Sequence, residues 1–272
     1  MFKLYPHQQH FIDQKKKRSG LFFDVGTGKT HTSIGWMMYW KPEKTYIICP
    51  LSVFVKWCET INEVLDIQDY EFVKPGRHHS YNWNGNLVRV VTKEYWRDNI
   101  VDFEKAESLI IDEAHYFSNS SKMTKATLRW LKKHNPQYRL ALTATPYTSN
   151  CMNIFNIAKV LGHDVDFMAW RMRFQKMRMM GNKCIWEDKN TSASRRELQA
   201  AIQDIGHVLE KKDVYKVPDQ REHVLWLNHT DDMLMEIEAI EDETFMGFFV
   251  KRDRIEQQHK LDTVQKIHRK HS

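Results

Sequence analysis

The chain has 272 residues, enough for one large domain or two small ones with a sizeable core, and too many for a peptide-scale scaffold. Hydrophobic residues make up 42% and charged residues 28%, with only 10 glycines and 7 prolines, which excludes disordered, collagen-like and low-complexity chains. Lys and Arg number 41 against 35 Asp and Glu, a formal charge of +6 that favours a polyanionic partner without specifying one.

The N-terminus, MFKLYPHQQHFIDQKKKR, has no apolar core of the signal-peptide kind, and no run approaches the ~18 apolar residues of a membrane span. Cys49, Cys58, Cys151 and Cys184 form no CxxC pair and no framework spacing, so neither zinc nor a disulfide scaffold is implied. An intracellular protein, cytoplasmic or nucleoid-associated and without a membrane partner, is expected. The Lys15–Arg18 run reads as a solvated helix end.

Short apolar runs occur at Gly20–Phe23, Thr45–Cys49, Leu87–Val91, Ser108–Ile111 and Arg139–Leu142, with helical patterns between several of them. YIIC, VRVV and SLII are continuously apolar, as strands buried on both faces are. The fold class is therefore α/β, a central parallel sheet flanked by helices, with its chemistry at the carboxyl ends of the strands. His78 and His79 read as loop residues between strands.

After Pro146 helical patterns take over. Met152–Leu161 predicts one helix, and Arg195–Leu209 another, with Leu198, Ala201, Ile202, Ile205 and Leu209 on one face. Between them, Trp170–Lys183 carries five basic residues, no acid and several methionines, either a basic surface for phosphates or an amphipathic helix with a Met-rich core face. His223–Leu227 reads as a last short strand. Asp231–Glu243 has seven acids and no base, whereas Lys251–Lys270 has seven bases against three acids.

The first strand, LFF, runs into DVGTGKT and then a helical stretch, which is the order a phosphate-binding loop requires. Gly26 and Gly28 free the backbone to point N–H groups at phosphate oxygens around Thr27. Lys29 supplies a cation for the β- and γ-phosphates, and Thr30 a hydroxyl for Mg2+. The strict pattern has glycine where this chain has Phe23. SLII then ends in Asp112 and Glu113, adjacent carboxylates suited to holding magnesium and to positioning the attacking water, respectively. Together the two motifs point to a nucleoside triphosphatase.

These motifs resemble those of the superfamily-two helicases and translocases, and within them the Swi/Snf-like double-stranded DNA translocases. LYPHQ resembles the family's entry motif and implies that Gln8 reads the adenine of ATP. IICPLSVFVKW and VRVVTKEYWR resemble strands followed by DNA-facing loops, implying DNA contacts at Pro50, Ser52, Lys56, Thr92 and Lys93. Trp57, next to Lys56, reads on composition as core. DEAHYFSN adds Asn119 and Lys122 to the DNA side, with Ser118 where lysine is usual, and a coupling role for His115. LALTATP implies that Thr143 and Thr145 sense the γ-phosphate beside the carboxylates. Lys212, Asp213, Val214 and Pro218 resemble a stretch that separates the Swi/Snf-like branch from RNA-directed DEAH-box proteins.

The resemblance implies a RecA-like ATP-binding lobe over residues 1–150, a helical extension over 151–228, and a charged tail or hinge over 229–272. A complete two-lobed motor does not fit in this length. The expected function is thus the first lobe of an ATP-dependent DNA translocase or helicase, binding ATP and Mg2+, contacting duplex DNA and needing a second RecA-like lobe from elsewhere for efficient hydrolysis. Two alternatives remain open at this point: a non-catalytic nucleotide-dependent DNA-binding or regulatory module, and a subunit of a phage packaging or restriction-type motor.

Overall fold

Residues rich in β-branched and aromatic side chains form the strands of one central sheet, and the amphipathic stretches between them cover its two faces. The computed structural model describes residues 3–67, 77–117, 121–147, 150–180 and 183–215. In chain order the elements are α1 (Pro6–Asp13), β1 (Arg18–Phe23), α2 (Lys29–Trp40), β2 (Lys44–Cys49), α3 (Leu51–Leu65), β3 (His78–Trp83), β4 (Asn86–Thr92), α4 (Lys93–Asn99), β5 (Ser108–Ile111) and α5 (Lys122–His134). They continue with β6 (Tyr138–Leu142), α6 (Met152–Leu161), α7 (Phe167–Phe174), β7 (Gln175–Met180), β8 (Lys183–Asp188), α8 (Ser192–Ile205), β9 (Gly206–Leu209) and α9 (Lys211–Val214). The readings made for Ser118, Asn119, Pro218, the strand at His223–Leu227 and the acidic and basic stretches beyond lie outside the described residues.

The sheet runs β3-β4-β2-β5-β6-β1-β9, parallel throughout except for β3, which pairs antiparallel with β4. Successive side chains alternate between its faces. Leu21, Phe23, Ile47, Ile110, Leu140 and Leu142 face one core with Trp36, Phe54 and Trp57 of α2 and α3. Phe22, Tyr46, Ile48, Leu109 and Ile111 face the other with Trp96, Trp130, Ile154 and Phe174. Burial of both faces is why the strands read as unbroken apolar runs.

The amino ends of β1 and β6 are tied down by arginines. Arg139, 4% exposed, donates to Pro136 O, Val160 O and Asn135 Oδ1, the ends of α5 and α6. Burial, with the Arg18 charge nearby, lowers its pKa to about 10. Arg18 reaches Asn135 Oδ1, Pro136 O and Gln137 O at the same pole. Cations on helix carbonyls are favourable because the C-terminal carbonyls lack intrahelical partners.

Three sequence expectations are corrected. His78 and His79 lie in β3, not in a loop. The Trp170–Lys183 stretch is not one helix: α7 ends at Phe174, and the methionines continue into the β7–β8 hairpin. The helix expected to reach Leu209 stops at Ile205, and Gly206–Leu209 returns to the main sheet as β9, so the region after Pro146 is not solely helical. Among the described residues, no helix is long and apolar enough to cross a membrane.

The return of β9 depends on two glycines. Gly206 sits opposite Gly20 in register, and a Cβ on it would lie 2.8 Å from Gly20 O and 2.4 Å from the Phe22 ring. Gly206→Ala is expected to cost about 1–3 kcal/mol through overpacking, read as a lowered midpoint of thermal unfolding. A midpoint equal to the parent's would mean that β9 is not held against β1.

Candidate active site

The strand order places the loops. β6 lies between β1 and β5, so the loop after β6 is flanked by the glycine-rich turn after β1 and the acidic turn after β5. Residues from three distant parts of the chain therefore share the carboxyl edge of the sheet.

At β1, Gly26 and Gly28 have φ of 83° and 84°, the left-handed region that glycine enters without strain. Gly28 caps α2, whose first residue is Lys29, so the turn leads directly into a helix N-terminus. Thr27, fully buried, donates from Oγ1 to Asp24 O at 2.7 Å. Lys29 Nζ donates to Phe23 O at 2.9 Å and to Asp24 O at 3.3 Å. Burial lowers its pKa, while Glu113, Asp112 and Asp24 act in the opposite sense, so the ammonium lies in the field of all three carboxylates. Phe23 fills the core against Phe11 and His207 and still offers its carbonyl to Lys29. Thr30 is half-buried on the first turn of α2.

At β5, Asp112 is clamped from two sides. Its Oδ2 accepts from Trp57 Nε1 at 2.7 Å and its Oδ1 from Glu113 N at 2.9 Å. Burial raises its pKa, against the pull of the Trp57 bond. Trp57 is buried, as its type suggested, but its polar end is the partner that sequence reading missed. Glu113 has φ of 49°. Among the described residues, the other non-glycine residues with positive φ sit after helices or in the turn between β3 and β4, whereas Glu113 holds this conformation two residues beyond the end of the buried strand β5. Such backbone costs on the order of 1–3 kcal/mol and turns the side chain away from the strand direction.

Glu113 Oε2 lies 3.0 Å from His115 Nδ1, which is also 3.3 Å from Thr143 Oγ1. Thr143 Oγ1 in turn accepts from Thr145 N at 3.1 Å. The bond to His115 is the main reason that the Glu113 pKa is lowered, with the nearby Lys29 charge adding to it. A chain of polar contacts thus runs from the acidic turn to the loop after β6.

Gln8 is 2% exposed: its Oε1 accepts from Tyr5 N and its Nε2 donates to Gly28 O at 3.2 Å. His7 Nε2 lies 2.9 Å from Thr27 O, and its ring stacks on that of Tyr5, which is 61% exposed. From a part of the chain remote in sequence, Leu209 O accepts from Asp24 N and Lys211 N donates to Asp24 Oδ2, both at 3.0 Å. Neither Asp24 nor His7 stood out in the sequence.

The residues expected to face DNA fall at this same edge, at strand ends and in the helices that follow them, but differ in exposure. Ser52, Lys56 and Lys122 are exposed. Lys93 is half-buried, 3.4 Å from the centre of the Tyr116 ring and 3.8 Å from Glu94. Pro50 is buried, and Thr92 is a buried N-cap for α4 that accepts from Tyr95 N. Asn119 lies outside the described residues.

No group of three or more His, Cys, Asp and Glu that could hold a metal exists among the described residues. Asp112 after β5 and Thr30 on the first turn of α2 supply hard oxygen donors at the same edge of the sheet, which suits the few protein ligands Mg2+ takes alongside phosphate and water.

Sheet order and loop placement define a RecA-like lobe. Residues 9–237 match the SNF2-related domain, and the chain belongs to that family. Among solved structures it is similar to the SWI2/SNF2 ATPase core of Sulfolobus solfataricus in complex with double-stranded DNA, with 19% identity and a TM-score of 0.59. That match covers 98% of this chain and 58% of the other, so this chain spans less than two thirds of its relative's length. The Hef helicase domain of Pyrococcus furiosus matches with 16% identity and a TM-score of 0.44, covering 64% of this chain and 40% of that one. No curated protein matches the sequence.

Trp57→Phe keeps the buried ring and deletes only the N–H that Asp112 uses. It is expected to lose about 1.5–3 kcal/mol, the worth of a hydrogen bond to a charged group, measured by urea unfolding at neutral pH. An unaltered urea midpoint would show that the bond does not hold the carboxylate.

Proposed function

We propose that the chain is the first motor lobe of an ATP-dependent DNA translocase, in which the turn after β1 binds ATP and the acidic turn after β5 serves its hydrolysis. The observation that carries this reading is the placement of Lys29 in the field of Asp112 and Glu113, in a chain of the SNF2-related family. Thr30 and Asp112 would hold Mg2+, which offsets phosphate charge when bound.

Gly26, Thr27 and Gly28 wrap the phosphates with backbone N–H groups, and Lys29 exchanges its present contacts with Phe23 O and Asp24 O for phosphate oxygens. Glu113, held ionised by His115, orients the attacking water and takes its proton. His115, Thr143 and Thr145 link the state of that carboxylate to the loop after β6. Gln8 contacts the adenine edge: its Nε2 carries two N–H groups, of which Gly28 O accepts one. The exposed Tyr5 ring offers the adenine a face.

Duplex DNA lies along the segments bearing Pro50, Ser52 and Lys56, Thr92 and Lys93, and Asn119 and Lys122, with the exposed Ser52, Lys56 and Lys122 meeting phosphates. A second RecA-like lobe completes the site. Arginine fingers of the kind supplied in trans to GTPases raise rates by about 10³–10⁵, so the lobe alone is a weak ATPase.

Lys29→Ala is expected to weaken nucleotide binding about 30-fold or more, by loss of a charge-assisted contact, in a titration with a fluorescent ATP analogue. Glu113→Gln is expected to bind as the parent does and to hydrolyse about 10²–10⁴-fold more slowly in single-turnover assays. Parental affinity in the Lys29 variant would refute the site. If no DNA stimulates hydrolysis even with a second lobe added, the chain is a nucleotide-dependent binding module and not a motor lobe.

A further inference from the structure

The β7–β8 hairpin plays no part in the nucleotide site, yet its two faces have contrasting chemistry. The register pairs Gln175 with Asp188, Met177 with Trp186, and Met179 with Cys184, and directly opposed residues share a face. That face is apolar beyond its root, and Met177 and Met179 are 60% and 62% exposed. Arg171 lies over the Trp186 ring, 4.4 Å from its centre, and donates from Nε to Gln175 Oε1, which sets a cation on the same face. The opposite face carries Lys176, Arg178 and Glu187 together with the exposed Ile185, with Arg178 3.7 Å from Glu187.

The root is fastened to the carboxyl edge of the main sheet. Asp188 Oδ2 accepts from Cys151 N at 2.7 Å and from Tyr147 OH at 3.3 Å, while Oδ1 accepts from Gln175 Nε2 at 2.9 Å. Tyr147 lies two residues beyond Thr145, so the hairpin is latched to the loop that carries Thr143 and Thr145.

We infer that this hairpin contacts a DNA strand whose bases are unpaired, as at a fork or branch. The inference rests on the motor-lobe reading for its choice of DNA. The charge around the hairpin favours a polyanion: Arg171, Arg173, Lys176, Arg178 and Lys189 stand against Glu187, Asp188 and Glu197. Arg173 is paired with Glu197 at 3.1 Å and Arg178 lies 3.7 Å from Glu187, while Asp188 is engaged in the latch, so the five cations exceed the three acids by two. A duplex offers its phosphates to such cations but hides its base faces. Exposed thioethers beside an indole under a guanidinium suit the flat faces of unstacked bases, which bind apolar and aromatic surfaces whatever their sequence. Basic and apolar chemistry on one ribbon therefore fits a strand offering both phosphates and open bases.

The test compares a labelled fork bearing single-stranded arms of about 20 nucleotides, longer than one such site, with a blunt duplex, by fluorescence anisotropy without nucleotide. The double variant Met177→Ser with Met179→Ser is expected to lose about tenfold in affinity for the fork and less than about twofold for the duplex. Lys176→Glu with Arg178→Glu is expected to weaken fork binding and to reduce its salt slope by about 2. Both pairs are exposed, and thermal unfolding checks that the fold is kept. Parental fork affinity in the Met variant overturns the inference and leaves the apolar face to a protein partner. A parent chain that binds neither probe overturns the DNA reading itself, a different outcome from hairpin variants that bind as the parent does.

Discussion

The half-buried carboxylate of Asp112 is the constraint on which the arrangement of the site depends. A charged group at the end of a strand buried on both faces is costly unless its oxygens are hydrogen-bonded, and here each oxygen has an N–H donor. One donor is the indole of Trp57, which brings α3 against β5. The other is the backbone of Glu113, and accepting it goes with the left-handed conformation of that residue. That conformation directs Glu113 to His115, and His115 reaches Thr143 on the neighbouring loop. One satisfied carboxylate thus sets the position of the next, and the polar chain extends across the edge of the sheet without a long flexible side chain.

The two poles of the sheet divide stability from chemistry. At the amino ends of β1 and β6, Arg139 and Arg18 are spent on helix carbonyls and turn carbonyls, and burial together with the Arg18 charge bears on the guanidinium of Arg139. At the carboxyl ends, Lys29 is set against three carboxylates and its contacts are backbone carbonyls of its own turn, which a phosphate can replace. Cations bound to fixed carbonyls at one end keep the strands in register. The cation at the other end sits on a glycine-rich turn whose own conformation is unstrained.

The sequence was most legible where one element decides its own structure. Ile47, Ile48, Ile110 and Ile111 lie in runs that are apolar on both faces, and DVGTGKT carries its turn and helix start within seven residues. The β3–β4 hairpin also had a local signal, Asn84-Gly85, a two-residue pair that reverses a strand. It was overshadowed by paired histidines, and the β7–β8 strands were obscured by methionines, which fit helical spacing as well as alternation. β9 had no such signal: GHVL is short, follows a helix without a turn, and becomes a strand because Gly206 can approach Gly20 closely. Side-chain partners were illegible for another reason. Trp57 reads as core from its type, but nothing local reveals that its N–H meets a carboxylate 55 residues away.

Phe23 shows how a departure from a motif is absorbed. A phosphate-binding turn needs glycine where φ is positive, and those positions are Gly26 and Gly28, not residue 23. Residue 23 still belongs to β1, so its side chain enters the core against Phe11 of α1 and His207 of β9 while its carbonyl remains available to Lys29. The larger side chain therefore adds a tie between the turn and two elements remote in sequence. Asp24 extends that tie, since its N–H and carboxylate are both met by the segment from Leu209 to Lys211. The turn is supported from below by core packing and from the side by the returning chain. Its geometry accordingly depends on residues 206–211, which no motif of the first 150 residues includes.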